Sequence, residues 1–197
     1  MCSIIGAIGH IDNKLLSDIF YQSKIRGLHC FGISYLHKGN IETYKTHSLQ
    51  KMINKIKNID TTLLIGHCRY STSGDYKDLN NNQPLQFKAI NLAFNGVLSM
   101  KSTIGMESEF EVKIPNENDG YVLIQKLYDD NILNHKDYSF ACVYIENNRL
   151  CAIRNENRPA YQTKHNNCTY IASTRDIFAR SGIKDCEELE PLKRYEY

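Results

Sequence analysis

Short apolar runs alternate with polar breaks along this chain, and the runs follow two periods. Residues 3–9, "SIIGAIG", are nearly continuous apolar strand, and Ile11, Leu15, Leu16, Ile19 and Phe20 follow at helical spacing. Residues 30–47, "CFGISYLHKGNIETYKTH", predict a hairpin turning at Lys38-Gly39-Asn40, and "SLQKMINKIKNI" predicts a second amphipathic helix. "TLLIGHCRY" (62–70) has the pattern of a buried strand that ends by delivering polar side chains to a site. Turn formers dominate residues 71–87, which predict a long loop, and "KAINLAFNG" (88–96) returns as strand. Residues 97–115 carry no clear period. Residues 118–131 predict a helix entered through Asn118 or Asp119 as N-cap. The clearest hairpin is 138–154, where Phe140, Cys142 and Tyr144 alternate with Ala141, Val143 and Ile145 ahead of an Asn147-Asn148 turn. Two further short strands fall at 160–165 and 168–174, and the tail beyond Ser181 is charged and weakly patterned. Strands in hairpin pairs with helices grouped near the start and middle predict an α+β domain built on antiparallel sheet, one domain over 1–197.

Composition narrows the classes of function. At 197 residues, with 42% apolar and 23% charged residues, the chain can bury a substantial core. A net charge of +2 without a basic stripe argues against nucleic acid. No apolar stretch reaches the roughly 20 residues a membrane span needs. The amino terminus lacks the features of a secretory leader. Seven scattered cysteines with no CxxC pair fit a reducing cytoplasm better than a disulfide framework. The adjacent pairs His67-Cys68 and His29-Cys30 point to opposite faces of a strand, so neither chelates as a unit, and no metal or cofactor is expected.

Four places carry candidate chemistry, each beside a plainer alternative. Cys2 becomes an N-terminal residue if Met1 is removed, and its α-amine, with a pKa near 8, can then serve as base for its own thiol. The alternative is an inert packed thiol. Asn95 and Gly96 offer a side-chain amide and a backbone N–H for an oxyanion, or form a simple Asn-Gly turn. Arg69, at the mouth of its strand ahead of Ser71, Thr72 and Ser73, suits bidentate capture of a carboxylate, or pairs with a surface acid. Asp119 holds an ammonium group or caps its helix.

In their order along the chain these blocks resemble the class II glutamine amidotransferases, the N-terminal-nucleophile glutaminases. The resemblance runs through Cys2 with "IIGAIG", "RGLHCFGI" (26–33), "GHCRYSTSG" (66–74), "NQPL" (82–85), "LAFNG" (92–96) and "NDGYVLIQKL" around Asp119. It continues through "FACVYIENNRLCAIRNENRP" and closes with "YIASTRDIF" near Phe178. It implies a four-layer α/β/β/α sandwich with two antiparallel sheets. It also implies Cys2 as nucleophile, Asn95 and Gly96 as oxyanion hole, Arg69 with Thr72 on the α-carboxylate of L-glutamine and Asp119 on its α-ammonium, with Arg26, Gly27 and His67 as support. Glutamate and ammonia would be the products. No fused synthetase domain is expected, so a separate synthetase or ligase subunit would accept the ammonia.

The sequence departs from the family pattern at His29, where an acid is usual, and at Phe94, often histidine before Asn-Gly. It departs again at Ser73 and in "NGVLSM". These departures keep open a catalytically weak or inactive glutamine-binding module of the same fold.

Overall fold

A computed structural model describes residues 1–71, 74–132 and 138–197. The chain runs β1 (Ser3–Gly9), α1 (Asn13–Ser23), β2 (Cys30–His37), β3 (Asn40–Thr46), α2 (Leu49–Lys57) and β4 (Leu63–Arg69). It continues with β5 (Leu85–Phe87), β6 (Ile90–Val97), α3 (Thr103–Phe110), α4 (Gly120–Tyr128), β7 (Ser139–Glu146) and β8 (Arg149–Arg154). Last come β9 (Tyr161–His165), β10 (Cys168–Ala172), α5 (Arg175–Arg180), β11 (Glu187–Glu188) and β12 (Tyr195–Glu196).

The strands form two antiparallel sheets. The first has the order β11-β9-β10-β1-β4-β2-β3, the second β12-β8-β7-β6-β5. Because side chains alternate across a strand, each sheet buries both faces. Ile4, Leu63, Ile65, Ala93, Ala141, Val143 and Ile171 fill the space between the sheets. The opposite parity of the first sheet, including Ile5, Leu64 and Tyr170, packs on Leu16, Ile19 and Phe20 of α1 and on residues of α2 and α5. Leu92, Phe94, Cys142 and Tyr144 of the second sheet meet Met106 and Phe110 of α3 and the apolar face of α4. The result is the α/β/β/α sandwich, each fully buried Leu, Ile or Phe contributing about 1.5–3 kcal/mol. Among the described residues no helix is long and apolar enough to cross a membrane.

The hairpins form where the sequence places them. Asn147 and Asn148 both adopt positive φ between β7 and β8, and Asn166 and Asn167 do the same between β9 and β10. Residues 97–115, without clear period in the sequence, contain α3, which Ser102 caps by accepting from the Gly105 N–H. The tail beyond Ser181 is structured as well. Its two-residue strands β11 and β12 close one edge of each sheet against β9 and β8.

Candidate active site

The polar residues of interest lie at one end of the sandwich and on facing sheet surfaces. Cys2 lies two residues before Ile4 and so extends the inter-sheet face of β1. On β4, His67 and Arg69 follow Leu63 and Ile65 on that same face, and on β6 Asn95 follows Ala93. Residues 2, 67, 69 and 95, remote in sequence, thus share one space.

Cys2 is half-buried, and its thiol donates to the Tyr70 carbonyl at 3.6 Å. Burial raises its pKa. The hydrogen bond with the Tyr70 backbone, the amino terminus and Arg69 pull it back down, while Asp119 pushes it up. The resting group is therefore the thiol, and any attack by sulfur requires a base. Arg26 donates through Nε to the Cys2 carbonyl at 3.0 Å and holds this end of the chain in place. Burial lowers the Arg26 pKa, and the neighbouring Arg158 lowers it further. Gly27 sits so close to the end of β4 that a Cβ there would lie 2.4 Å from the Arg69 carbonyl carbon. His29, at the family's usual acid position, accepts from the Ser71 N–H at 2.9 Å and stacks on the rings of Tyr70 and Tyr76.

Asn95 and Gly96 do not form a turn. Both lie inside β6, registered with Ala141 and Phe140 of β7. A Cβ at Gly96 would fall 1.9 Å from the Ser139 carbonyl oxygen, so the close approach of the two strands demands glycine. Asn95 is 2% exposed, and its Nδ2 has no hydrogen-bond partner. An unsatisfied buried donor costs about 1–3 kcal/mol, which calls for an explanation.

Arg69 is buried and engaged. Its Nη1 donates to the Asn81 carbonyl at 2.6 Å and to Asn82 Oδ1 at 2.7 Å, and its Nη2 donates to Ser71 Oγ at 3.2 Å. It therefore organises the loop after β4 while remaining within electrostatic reach of Cys2 and Asp119. Thr72, expected to help Arg69, and Ser73 lie outside the described residues.

Asp119 is not the side-chain cap of α4. Asn118 accepts from the Gly120 N–H at 2.9 Å, which leaves the Asp119 carboxylate to accept from the Leu98 N–H at 2.9 Å. Burial raises the Asp119 pKa, with the backbone hydrogen bonds and Arg69 opposing. Together with Gly96, Gly74, Ser99 and Glu117, it lines a cleft of about 500 Å³.

His67 is 1% exposed, and its Nε2 lies 3.1 Å from the Phe94 carbonyl. Burial first, then Arg69, presses its pKa down to about 3. The ring is neutral over ordinary pH, so Nε2 carries the proton it donates and the residue is no acid–base catalyst.

Asn81, Asn82 and Gln83 carry no role in the sequence pattern, although "NQPL" lies within the resemblance. These residues act through contacts that only the fold creates.

No family model matches the chain. Over 103 residues it is 31% identical to glutamine–fructose-6-phosphate aminotransferase (isomerizing) of Caldanaerobacter subterraneus subsp. tengcongensis, covering 50% of this chain and 17% of that one. The same enzyme of Shouchella clausii is 30% identical over 133 residues, covering 64% and 22% respectively. The chain thus spans about a fifth of the length of these curated relatives. Among solved structures, it is similar to the glutamine phosphoribosylpyrophosphate amidotransferase of B. subtilis complexed with ADP and GMP, with a TM-score of 0.79 at 20% identity. That match covers 99% of this chain and 47% of the other, and at such identity it shows a shared fold.

Proposed function

We propose that this chain, a class II glutamine amidotransferase domain in fold and in its sequence relatives, hydrolyses the side-chain amide of L-glutamine with Cys2 as nucleophile. Removal of Met1 gives Cys2 a free α-amine, which takes the thiol proton. The sulfur attacks the carboxamide carbon, and the resulting oxyanion is met by Asn95 Nδ2 and the Gly96 N–H. The protonated amine then passes its proton to the departing nitrogen, which leaves as ammonia. A γ-glutamyl thioester remains on Cys2. Water, deprotonated by the same amine, attacks the thioester, releasing glutamate and restoring the thiol. Arg69, with Thr72, holds the substrate carboxylate and Asp119 its ammonium group, so that the scissile amide is the end left facing the sulfur.

The observation that carries this reading is the buried, unpartnered Nδ2 of Asn95 on the inter-sheet face that Cys2 also occupies. A donor kept unsatisfied there is ready for an oxygen that exists only during reaction. We take the ammonia to be used at an acceptor centre on a separate synthetase or ligase subunit. That both sequence relatives are glutamine–fructose-6-phosphate aminotransferases supports transfer to an acceptor. Seven free thiols support a reducing cytoplasmic setting.

The test is glutamate release from L-glutamine by the wild-type chain and by Cys2→Ala. Turnover in the wild type that vanishes in Cys2→Ala is expected. Glutamine binding without ammonia release by the wild type would identify a binding module instead, and turnover retained by Cys2→Ala would refute the mechanism.

A further inference from the structure

β6 is flanked by strands on both sides only over part of its length. β5 pairs with it through Phe87↔Ile90, Gln86↔Asn91 and Leu85↔Leu92, and then β5 ends. β7 continues along the other side to Val97. Phe94, two residues beyond the last β5 pair, is 2% exposed and so needs partners for both of its backbone groups. Two side chains supply them. Gln83 Oε1 accepts from the Phe94 N–H at 2.5 Å, and His67 Nε2 donates to the Phe94 carbonyl at 3.1 Å. One acceptor and one donor, from different elements, thus continue the ladder where the strand stops, at the residue before Asn95.

Both side chains are themselves fixed. Gln83 is 5% exposed, and its main chain lies so close to β2 that a Cβ at Gly32 would fall 2.0 Å from the Gln83 oxygen. It directly follows Asn81 and Asn82, which receive the Arg69 guanidinium. His67 shares the inter-sheet face of β4 with Arg69. The loop that Arg69 organises therefore also holds the strand bearing the unpartnered amide.

We propose that Gln83 and His67 are positioning residues, which splice the open side of β6 at Phe94 and so fix the Asn95 carboxamide where the oxyanion develops. The inference rests on the glutaminase reading above. Without the splice, Phe94 keeps a buried unpaired group, and β6 shifts to find a partner for it. A displacement on the order of 1 Å at a catalytic group costs about 100-fold in rate. Because the splice touches the strand rather than the substrate's charged head, the loss belongs in kcat.

The experiment compares wild type with Gln83→Met and Gln83→Glu, and with His67→Leu and His67→Gln, in glutamine turnover and in alkylation of Cys2 by iodoacetamide read by peptide mass spectrometry. Displacement of iodide builds no oxyanion, so it reports the thiol without the hole. Gln83→Met and His67→Leu are expected to lower kcat about 10- to 100-fold, with KM for glutamine within about 3-fold and unchanged alkylation of Cys2. Gln83→Glu retains an acceptor oxygen and His67→Gln a donor N–H, so both should recover most of the lost rate. Wild-type kcat in Gln83→Met, or alkylation falling in step with turnover, would overturn the proposal. A wild-type chain that is alkylated normally yet inert to glutamine would instead overturn the glutaminase reading, and this inference with it.

Discussion

At the scale of single residues, the placement of Asp119 sets the ammonium contact proposed for it against stability. Its sequence context offers two adjacent candidates for capping α4, and which one caps depends on a group far away. The Leu98 N–H, arriving from beyond β6, takes the Asp119 carboxylate, and Asn118 caps in its place. That choice was not legible, because the contact is made by the fold. The energetic consequence follows from burial, which raises the carboxyl pKa. Above that pKa the folded state carries a buried charge at a cost, and the cost is relieved as pH falls through it. In Asp119→Asn, Oδ1 still accepts from Leu98, so the variant should fold and melt at a higher temperature at neutral pH. Its KM for glutamine should rise about 10- to 100-fold, the scale of one charged hydrogen bond. In the wild type, KM should climb with acidification at a pH above that of an unshifted aspartate, whereas in Asp119→Asn it should stay flat there. Thermal melts and KM measured across pH check both statements.

At the scale of elements, legibility followed the strength of the local signal. The β7–β8 hairpin was readable because alternation on both strands meets two asparagines able to take positive φ. The same dipeptide logic misleads at Asn95-Gly96. Neither residue adopts positive φ, and the strand runs straight through them because β7 pairs alongside. Only the apolar run ahead of the pair hints at this. α3 and the two closing strands were not readable, the first for want of a clear period and the others because two residues define none. The strand through Asn95 yields a sharp prediction. Gly96→Ala places a methyl into the β6–β7 ladder, 1.9 Å from a carbonyl oxygen that belongs to the backbone and has little room to yield. Denaturant unfolding should register a loss of about 1–3 kcal/mol, the usual cost of overpacking, together with abolished glutamine turnover. Stability and turnover both equal to wild type would mean that the two strands are not held as described.

At the scale of the whole molecule, the sandwich gathers groups that the chain disperses. The alternation of each strand sends one parity to the outer helices and the other inward, and the inward parity at one end is where Cys2, His67, Arg69 and Asn95 fall. Layering and antiparallel pairing were legible from the hairpin order together with the family resemblance. The engagement of Arg69 by the loop after β4 and the splice at Phe94 were not, since both arise from one sheet facing another.

All of the proposed chemistry converges on one sulfur and the amine attached to the same residue. Intact-mass and peptide mass spectrometry of the protein, after exposure to an electrophilic analogue of glutamine, tests that convergence directly. A chain lacking Met1 that carries a single adduct on Cys2 is expected. An adduct on any other residue, or a chain that retains Met1 and still turns over glutamine, would contradict it.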